Sequence, residues 1–584
     1  MSNKAVHNSH TINIETTISL VPIAVGILYR NNFILFYGIS CIDQFFNWLS
    51  TKRIQGTFYT HKLTLCGLLL LNKQDTRVKI DGIYKLGEIY QMSLNTANSS
   101  ICLKCAFKLF PIPLLQAAEL LYKKENMPSL AQGGYTYLQL LQDSGEVQNK
   151  QKIIACCELK VIIIRDLISK IEVQIKNWSS MNIFSISGLA LEIFKKEYNP
   201  CGLNLSLSSN HDFLIRKGFW GGRCEVFGNL LPGDILHYFD FAGMYASVMR
   251  QNYCFGNADI IYNKIKIDTA GYYHVTVFSE NMYIPLLPMR KPNGRVYFPN
   301  GLWTSTYWWE ELLFFLENGG TIKKIHYHIK FDRAGCALQK FSEHFTNLRK
   351  LDTFSNNFYK LFINSLYGRL GMNIPEGSTE IFIKNQKNQH KNTISETYAG
   401  GGTFIATIPS ITHLSSNVTS NVAIAAAIAA KARIKLHRAL LTVERSGGRI
   451  LYTDTDSIYA AFKKKMTNIS HGDVYWDINK AFAFDKAVFA TSKGYALKNN
   501  NLEIIKLRGF NSGSLTFLEF QDHFKGGLSF KHEQKYLLKK NHKIKYLEIE
   551  KNILLNLYDK RSFNKEKTHT EPLSFFQNEL EGQK

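Results

Sequence analysis

Ile450-Leu-Tyr-Thr-Asp-Thr-Asp-Ser-Ile-Tyr459 sets two carboxylates between two apolar runs. One run leads into Asp454-Thr455-Asp456 and the other leaves it from Ile458 to Phe462, which predicts a tight β-hairpin with both acids at its tip. Like charges two residues apart in a turn repel, so something must compensate them. A hard divalent cation does so, and Mg²⁺ keeps waters and substrate phosphates as its remaining ligands. A D-x-D by itself is more often a solvated acidic turn. The flanking strands and the motifs around it favour the metal.

Working outward, Ile235-Leu-His-Tyr-Phe-Asp240 reads as an apolar strand that delivers a third carboxylate. Ala242 and Gly243 then allow a turn into a helix beginning near Met244, with Tyr245 on its first turn. The competing role for Asp240 is a helix N-cap. Some 120 residues later, Lys360, Asn364 and Tyr367 fall at i, i+4 and i+7, one face of a helix. A cation, an amide and a ring in one row suit a nucleotide, the cation for phosphate and the ring for stacking. An exposed amphipathic face would explain Lys360 but not a large aromatic beside Gly368. Arg349 and Lys350, three turns earlier, are expected to extend the positive face. The Ala-rich stretch Asn421–Leu441 reads as a packing helix. Phe219-Trp-Gly-Gly222 marks a bend, and Thr491-Ser-Lys-Gly-Tyr495 puts Lys493 and Tyr495 on a strand-like segment.

The chain has 584 residues, too many for one core, so three or four units are expected. Lys and Arg exceed Asp and Glu by 70 − 47 = 23, which points to a polyanionic partner, most simply nucleic acid. Lys531–Lys551 carries much of this charge near the C-terminus, either as a solvated face or as a surface that tracks a phosphate backbone. No apolar run reaches the roughly 18 residues of a membrane span. The ten cysteines all precede residue 340 and are expected to be reduced thiols; Cys102-Leu-Lys-Cys105 has no second pair at zinc-finger spacing. The first twenty residues show neither a secretory nor an Arg-rich targeting pattern and read as the start of a domain. From there to about residue 170, short β-rich runs alternate with helical patterns: α/β texture.

These residues carry a resemblance. Asp240-Phe-Ala-Gly-Met-Tyr-Ala-Ser247 resembles motif A of family B DNA polymerases, with Gly243 and Ala246 where Ser and Pro are frequent. Lys360-Leu-Phe-Ile-Asn-Ser-Leu-Tyr-Gly368 resembles motif B, Tyr452-Thr-Asp-Thr-Asp-Ser457 motif C, and Lys493-Gly-Tyr495 the K-x-Y element. Phe219-Trp-Gly-Gly222 is similar to the Y-x-G-G turn, with Phe for Tyr. Order and spacing agree over about residues 215–510, and the intervals leave room for the two insertions of the protein-primed subgroup.

The resemblance implies an α/β multi-domain, right-hand fold of palm, fingers and thumb behind an N-terminal ribonuclease H-like exonuclease-type domain. The expected divisions are 1–175 for that domain, 176–235 for a linker with the Gly-Gly turn, 236–340 for palm and first insertion, 341–375 for fingers, 376–512 for second insertion and palm, and 513–584 for a basic thumb. It further implies that Asp240, Asp454 and Asp456 are catalytic and bind two Mg²⁺ ions. Lys360, Arg349, Tyr245, Asn364 and Tyr367 would take the dNTP, with Tyr245 excluding a 2′-hydroxyl. Gly221, Gly222, Lys493 and Tyr495 would contact DNA. Of the four exonuclease carboxylates only Glu15 would remain, with Asn13, Cys66 and Lys160 at the other three positions, so the fold is expected without proofreading; Asp43 and Asp166 are the acids that could substitute. Expected partners are primer–template DNA, dNTPs and a terminal protein, with the enzyme a monomer outside the membrane. The subgroup and the Lys/Asn/Ile-rich composition imply a linear element in a mitochondrion, organelle-encoded.

Other readings share some of these features. An RNA polymerase or reverse transcriptase also pairs acids on a palm hairpin, and Tyr245 argues against ribonucleotides. A nucleic-acid-binding remnant would fit the decayed exonuclease motifs, against which stand intact palm acids and Lys360.

Overall fold

The structure, a computed structural model, describes residues 10–16, 22–71, 73, 75–85, 88–122, 150–175, 184–199, 202–203, 207–262, 266–373, 377–383, 395–400, 403–409, 420–464, 484–508, 515–526, 529–540, 543–555 and 558–577. For the strands at 377–409 and 529–554 it describes the backbone alone.

The N-terminal region forms a mixed sheet. Strands Asn32–Tyr37, Pro22–Tyr29 and His10–Thr16 run antiparallel, and Gln55–Thr60 and Ser100–Cys105 then continue in parallel, the arrangement expected of a ribonuclease H-like domain. Helix Cys41–Thr51 covers it with Cys41, Ile42, Phe45, Phe46 and Leu49, a stripe at helical spacing. Helix Lys150–Gln174 packs on the strands at 10–16 and 22–29, and Thr11 Oγ1 donates to its Val161 carbonyl at 2.9 Å.

One feature departs from the expected division. Strands Gly377–Ile383, Ser395–Gly400 and Thr403–Pro409, assigned by sequence to the insertion-and-palm segment 376–512, lengthen the N-terminal sheet to ten strands through pairing of 377–383 with Lys79–Lys85. An edge strand carries unpaired N–H and C=O groups, and an added strand satisfies them.

The palm is a four-stranded antiparallel sheet in the order Cys224–Val226, Arg449–Asp454, Ser457–Phe462, Ile235–Asp240. Against it packs helix Val422–Arg445, buried without a break from Val422 to Ile434. Its run of alanines permits close approach on several sides at once. Beside it a five-stranded sheet comprises Tyr253–Ile261, Thr321–Gly335, Gly271–Ser279, Asn300–Trp308 and Ser574–Phe576. Helices Gln339–Leu348 and Thr353–Leu370 form the fingers element that carries motif B. No helix among the described residues is long and apolar enough to cross a membrane.

The C-terminal expectation also needs correction. Residues 529–540 and 543–554 form one long antiparallel hairpin, but 558–577 leaves it and returns to the palm. There the Val226 N–H donates to the Tyr558 hydroxyl at 2.9 Å, Lys560 donates to the Cys224 carbonyl at 3.0 Å, and Arg561 is buried over the Phe227 ring. The basic side chains of Lys531–Lys551, expected to form a backbone-tracking surface, lie outside the described residues.

Candidate active site

The 449–462 hairpin turns through Thr455, whose φ of +63° lies in the left-handed region that β-branched residues avoid. Two contacts hold it there. The Thr455 N–H donates to the Arg223 carbonyl at 2.7 Å, and its hydroxyl donates to Asp454 Oδ1 at 3.2 Å. Arg223 follows the Gly-Gly pair, and a Cβ on Gly222 would meet Thr455 Cγ2 at 2.7 Å, while one on Gly221 would meet nothing within 4 Å. The second glycine is thus the one the hairpin tip requires. Both stand behind the carboxylates.

Strand 235–240 lies alongside, pairing Asp240 with Ser457, and the Phe241 N–H donates to the Asp456 carbonyl at 2.9 Å. Asp240 and Asp456 share one field. Burial first, and then the Asp240 charge, push Asp456 up to about 6, against the opposing pull of Lys360. Asp454 instead pairs with Lys493, whose Nζ lies 3.0 and 3.1 Å from its two oxygens. Among the described residues no three metal-ligating side chains converge. Asp240 acts on Asp456, and Asp454 is held by Lys493.

A recess on the fingers side is lined by Tyr245, Arg349, Lys360, Asn364 and Asp456. Helix Met244–Val248 starts on Gly243, in left-handed conformation at φ +79°, so the N-cap is Gly243 and not Asp240. A Cβ there would lie 3.0 Å from Arg349 Nη1, which accounts for the glycine in motif A. Lys360, Asn364 and Tyr367 share helix 353–370 as expected. Arg349 does not: it follows helix 339–348, before a break capped by Asp352, whose carboxylate accepts from the Ser355 N–H at 2.8 Å. From that link Arg349 reaches into the recess and donates to Asn356 at 3.0 Å. The Tyr245 and Tyr367 rings meet at 4.7 Å, and burial followed by the Tyr367 neighbour raises the Tyr245 phenol.

A second recess of about 190 Å³ lies on the other side of the tip, lined by Tyr238, Asp454, Asp456, Tyr459, Lys493, Tyr495 and Lys506. Lys493 occupies a turn at φ +61°, and its N–H donates to the Tyr452 hydroxyl at 2.9 Å. Tyr495 lines the recess from a ring packed among Tyr452, Tyr459 and Phe489, and its hydroxyl accepts from Tyr459 at 3.1 Å. Tyr238, Tyr459 and Lys506 escaped the sequence reading; the two tyrosines had a signal in their i−2 and i+3 places beside Asp240 and Asp456, and Lys506 had none.

The packing helix at 422–445 does more than fill space. Buried Arg433 pairs with buried Glu311 at 2.7 Å and donates to the carbonyls of Trp220 and Gly221 at 2.7 and 3.2 Å, fixing the bend that carries the hairpin tip.

In the N-terminal domain the four degenerate positions come together. Asn13 Nδ2 donates to Glu15 Oε1 at 2.6 Å, and Lys160 Nζ lies 2.8 and 2.9 Å from the two Glu15 oxygens. Burial opposes the Lys160 charge, but Glu15 outweighs it and raises the ammonium. Cys66 is buried with its sulfur 3.3 Å from Thr60 Oγ1, and burial above all, with Glu15 adding to it, disfavours its thiolate. Asp43 pairs with Lys73 at 2.8 Å, and Asp166 with Arg165 at 2.7 Å and with the Tyr122 hydroxyl, so neither joins the cluster.

A family model described as DNA polymerase type B, organellar and viral, matches residues 135–446. A probable DNA polymerase of Podospora anserina is 28% identical over 416 residues, 62% of this chain and 33% of that protein. The DNA-directed DNA polymerase of Enterobacteria phage PRD1 is 26% identical over 495 residues, 81% of this chain and 78% of its own. The chain therefore spans about a third of the fungal relative and most of the phage one. Phi29 DNA polymerase, solved with primer-template DNA and incoming nucleotide, is 16% identical with a TM-score of 0.66, covering 94% of this chain and 99% of that one. At that identity the likeness is one of fold, a right hand behind an exonuclease-type domain.

Proposed function

We propose that this chain, which belongs to the organellar and viral type B DNA polymerases, extends a primer 3′-hydroxyl with dNTPs on a DNA template. The observation that carries the reading is the close pair Asp240 and Asp456 with Lys360 in the same field. A carboxylate raised to about 6 by burial and by its neighbour is a site short of positive charge, which suits divalent cations. Asp240 and Asp456 would hold two Mg²⁺ ions, with Asp454 as accessory ligand; such ions lower the pKa of the attacking hydroxyl and neutralise the departing pyrophosphate.

The chain's own groups do the rest. Lys360 and Arg349 bind the triphosphate oxygens at the mouth of the fingers recess. Asn364 and the Tyr245–Tyr367 pair form the wall against sugar and base, and the Tyr245 ring leaves no room for a 2′-hydroxyl. Lys493, which pairs with Asp454 at 3.0 Å, would also reach the primer terminus, and Asp454 would serve as an accessory metal ligand. The Gly-Gly turn sets the hairpin tip against the DNA.

The exonuclease-type domain does not proofread. Its four positions offer one carboxylate, and the Lys160 ammonium already neutralises it. Protein-primed replication of a linear element, with a terminal protein as partner, is inferred from the room for two insertions between the motifs; an organellar setting accords with the organellar and viral family description.

The test is extension of a 5′-labelled primer–template with Mg²⁺, run with dNTPs, with NTPs and with neither. Extension with dNTPs alone, and an unshortened primer in the nucleotide-free lane, are expected. Failure to extend from any primer would favour a binding remnant, extension with NTPs a different polymerase class, and a shortened primer an active nuclease.

A further inference from the structure

A second opening lies between helix Trp309–Glu317 and helix 422–445: a groove of about 810 Å³, several times the recess beside Asp454. Lys431, Lys435, Arg438 and Arg445 line it from one face of the long helix, at i, i+4, i+7 and i+14. That row is 14 residues long, about 21 Å at the helical rise. Helix 309–317 answers with Glu310 and Glu317. Glu310 is engaged by Lys431 at 2.6 Å and by Trp308 Nε1 at 3.3 Å. With Lys431 and Glu310 paired, the lining still holds Lys435, Arg438 and Arg445 against Glu317, a net positive set.

Two contacts shape it further. Lys435 donates to Ser247 Oγ at 2.9 Å, so the inner end of the groove abuts the helix that follows Asp240. The Arg438 guanidinium lies 5.3 Å from the centre of the buried Phe314 ring, so the cation sits against an apolar wall. A row of cations along such a wall matches the phosphate row that a nucleic-acid strand presents.

We propose that this groove holds a single-stranded nucleic-acid segment by its phosphates, as a site separate from the palm carboxylates. The length of the row decides between a strand and a free nucleotide. Lys431 is buried against Glu310, so the cations that face the groove run from Lys435 to Arg445, about 15 Å. That still outreaches one triphosphate and matches several consecutive phosphates, spaced about 3.4 Å along a duplex axis and farther apart when extended. The proposal does not depend on which reaction the palm performs.

The test uses the full chain with its cleft filled by excess unlabelled hairpin primer–template. Binding of a fluorescent oligo(dT) is then titrated over a range of salt, for the native chain and for Arg438→Glu/Arg445→Glu. Both positions are exposed. The expected result is at least tenfold weaker oligo(dT) binding by the variant. The log–log salt slope should be shallower by about 1.4, about 0.7 for each phosphate contact removed from a single strand. One-nucleotide extension on the short hairpin should be unchanged. The milder Arg438→Gln/Arg445→Gln gives the same reading if charge reversal perturbs melting. Equal binding by native chain and variants, or no second oligonucleotide bound by the native chain, would overturn the proposal. Displacement of oligo(dT) by inorganic tripolyphosphate at equal phosphate concentration would overturn the strand assignment in favour of a free polyphosphate.

Discussion

Gly222 shows how much of this site depends on a residue without a side chain. It lies under Thr455, the left-handed residue between Asp454 and Asp456, and a methyl there would sit 2.7 Å from Thr455 Cγ2. Gly222→Ala should therefore move the acids without touching them, at an overpacking cost of about 1–3 kcal/mol. Primer extension by Gly222→Ala is expected to fall at least tenfold, while Gly221→Ala, with open space around its Cβ, stays within about twofold of the native chain. Equal losses in the two variants would mean that the pair acts through DNA contact and not through the hairpin. The sequence marked both glycines as a bend, yet nothing local distinguishes them, because the neighbour that does is 233 positions away (455 − 222). Lys360 and Asn364 were legible for the opposite reason: helical spacing alone puts them on one face. Arg349 was legible as a cation but not as a member of another helix, since the break at Asp352 is a capping event inside a continuous polar stretch.

At the scale of elements, helix 422–445 buries Arg433 and helix 150–174 half-buries Lys160, each against an acid that a periodicity reading cannot assign. Arg433 and Glu311 are both almost wholly buried, so removing one partner strands the other charge. Arg433→Met is expected to cost about 3–5 kcal/mol, read as a lowered denaturation midpoint, and Arg433→Met/Glu311→Leu should recover part of it. An additive double variant would mean that the pair contributes nothing as a pair. Lys160 sits in a wetter place, with about a fifth of its side chain accessible, and Lys160→Met is expected to cost about 1–3 kcal/mol. It should not create nuclease activity, because Glu15 still lacks three companions; primer shortening by Lys160→Met would show that the lysine alone had silenced the site. The Ala-rich pattern announced a packing helix, but a partner more than a hundred residues distant leaves no trace in local spacing.

For the whole molecule, the order of five motifs was enough to read the right hand, because each motif is a local strand, turn or helix signal and the fold only has to bring them together. Two joins were not readable. Strands 377–409 extend the N-terminal sheet by backbone pairing, which is nearly blind to side chains. The segment 558–577 returns to cover Cys224 and Phe227 through Tyr558, Lys560 and Arg561. A chain ended after residue 555 should consequently melt at lower temperature and lose extension, since it uncovers the back of the strand that pairs with Asp454. Retention of native melting and activity by that truncation would show the returning segment to be dispensable.

Asp240 and Asp456 are proposed as the metal-dependent centre of a DNA polymerase, and Mg²⁺-dependent dNTP extension of a 5′-labelled primer by the native chain beside Asp456→Asn and Asp240→Asn tests this. Extension by the native chain, at least a thousandfold loss in each variant with melting unchanged or raised, and no extension after chelation of divalent ions are expected. Extension by either asparagine variant at near-native rate would rule that centre out.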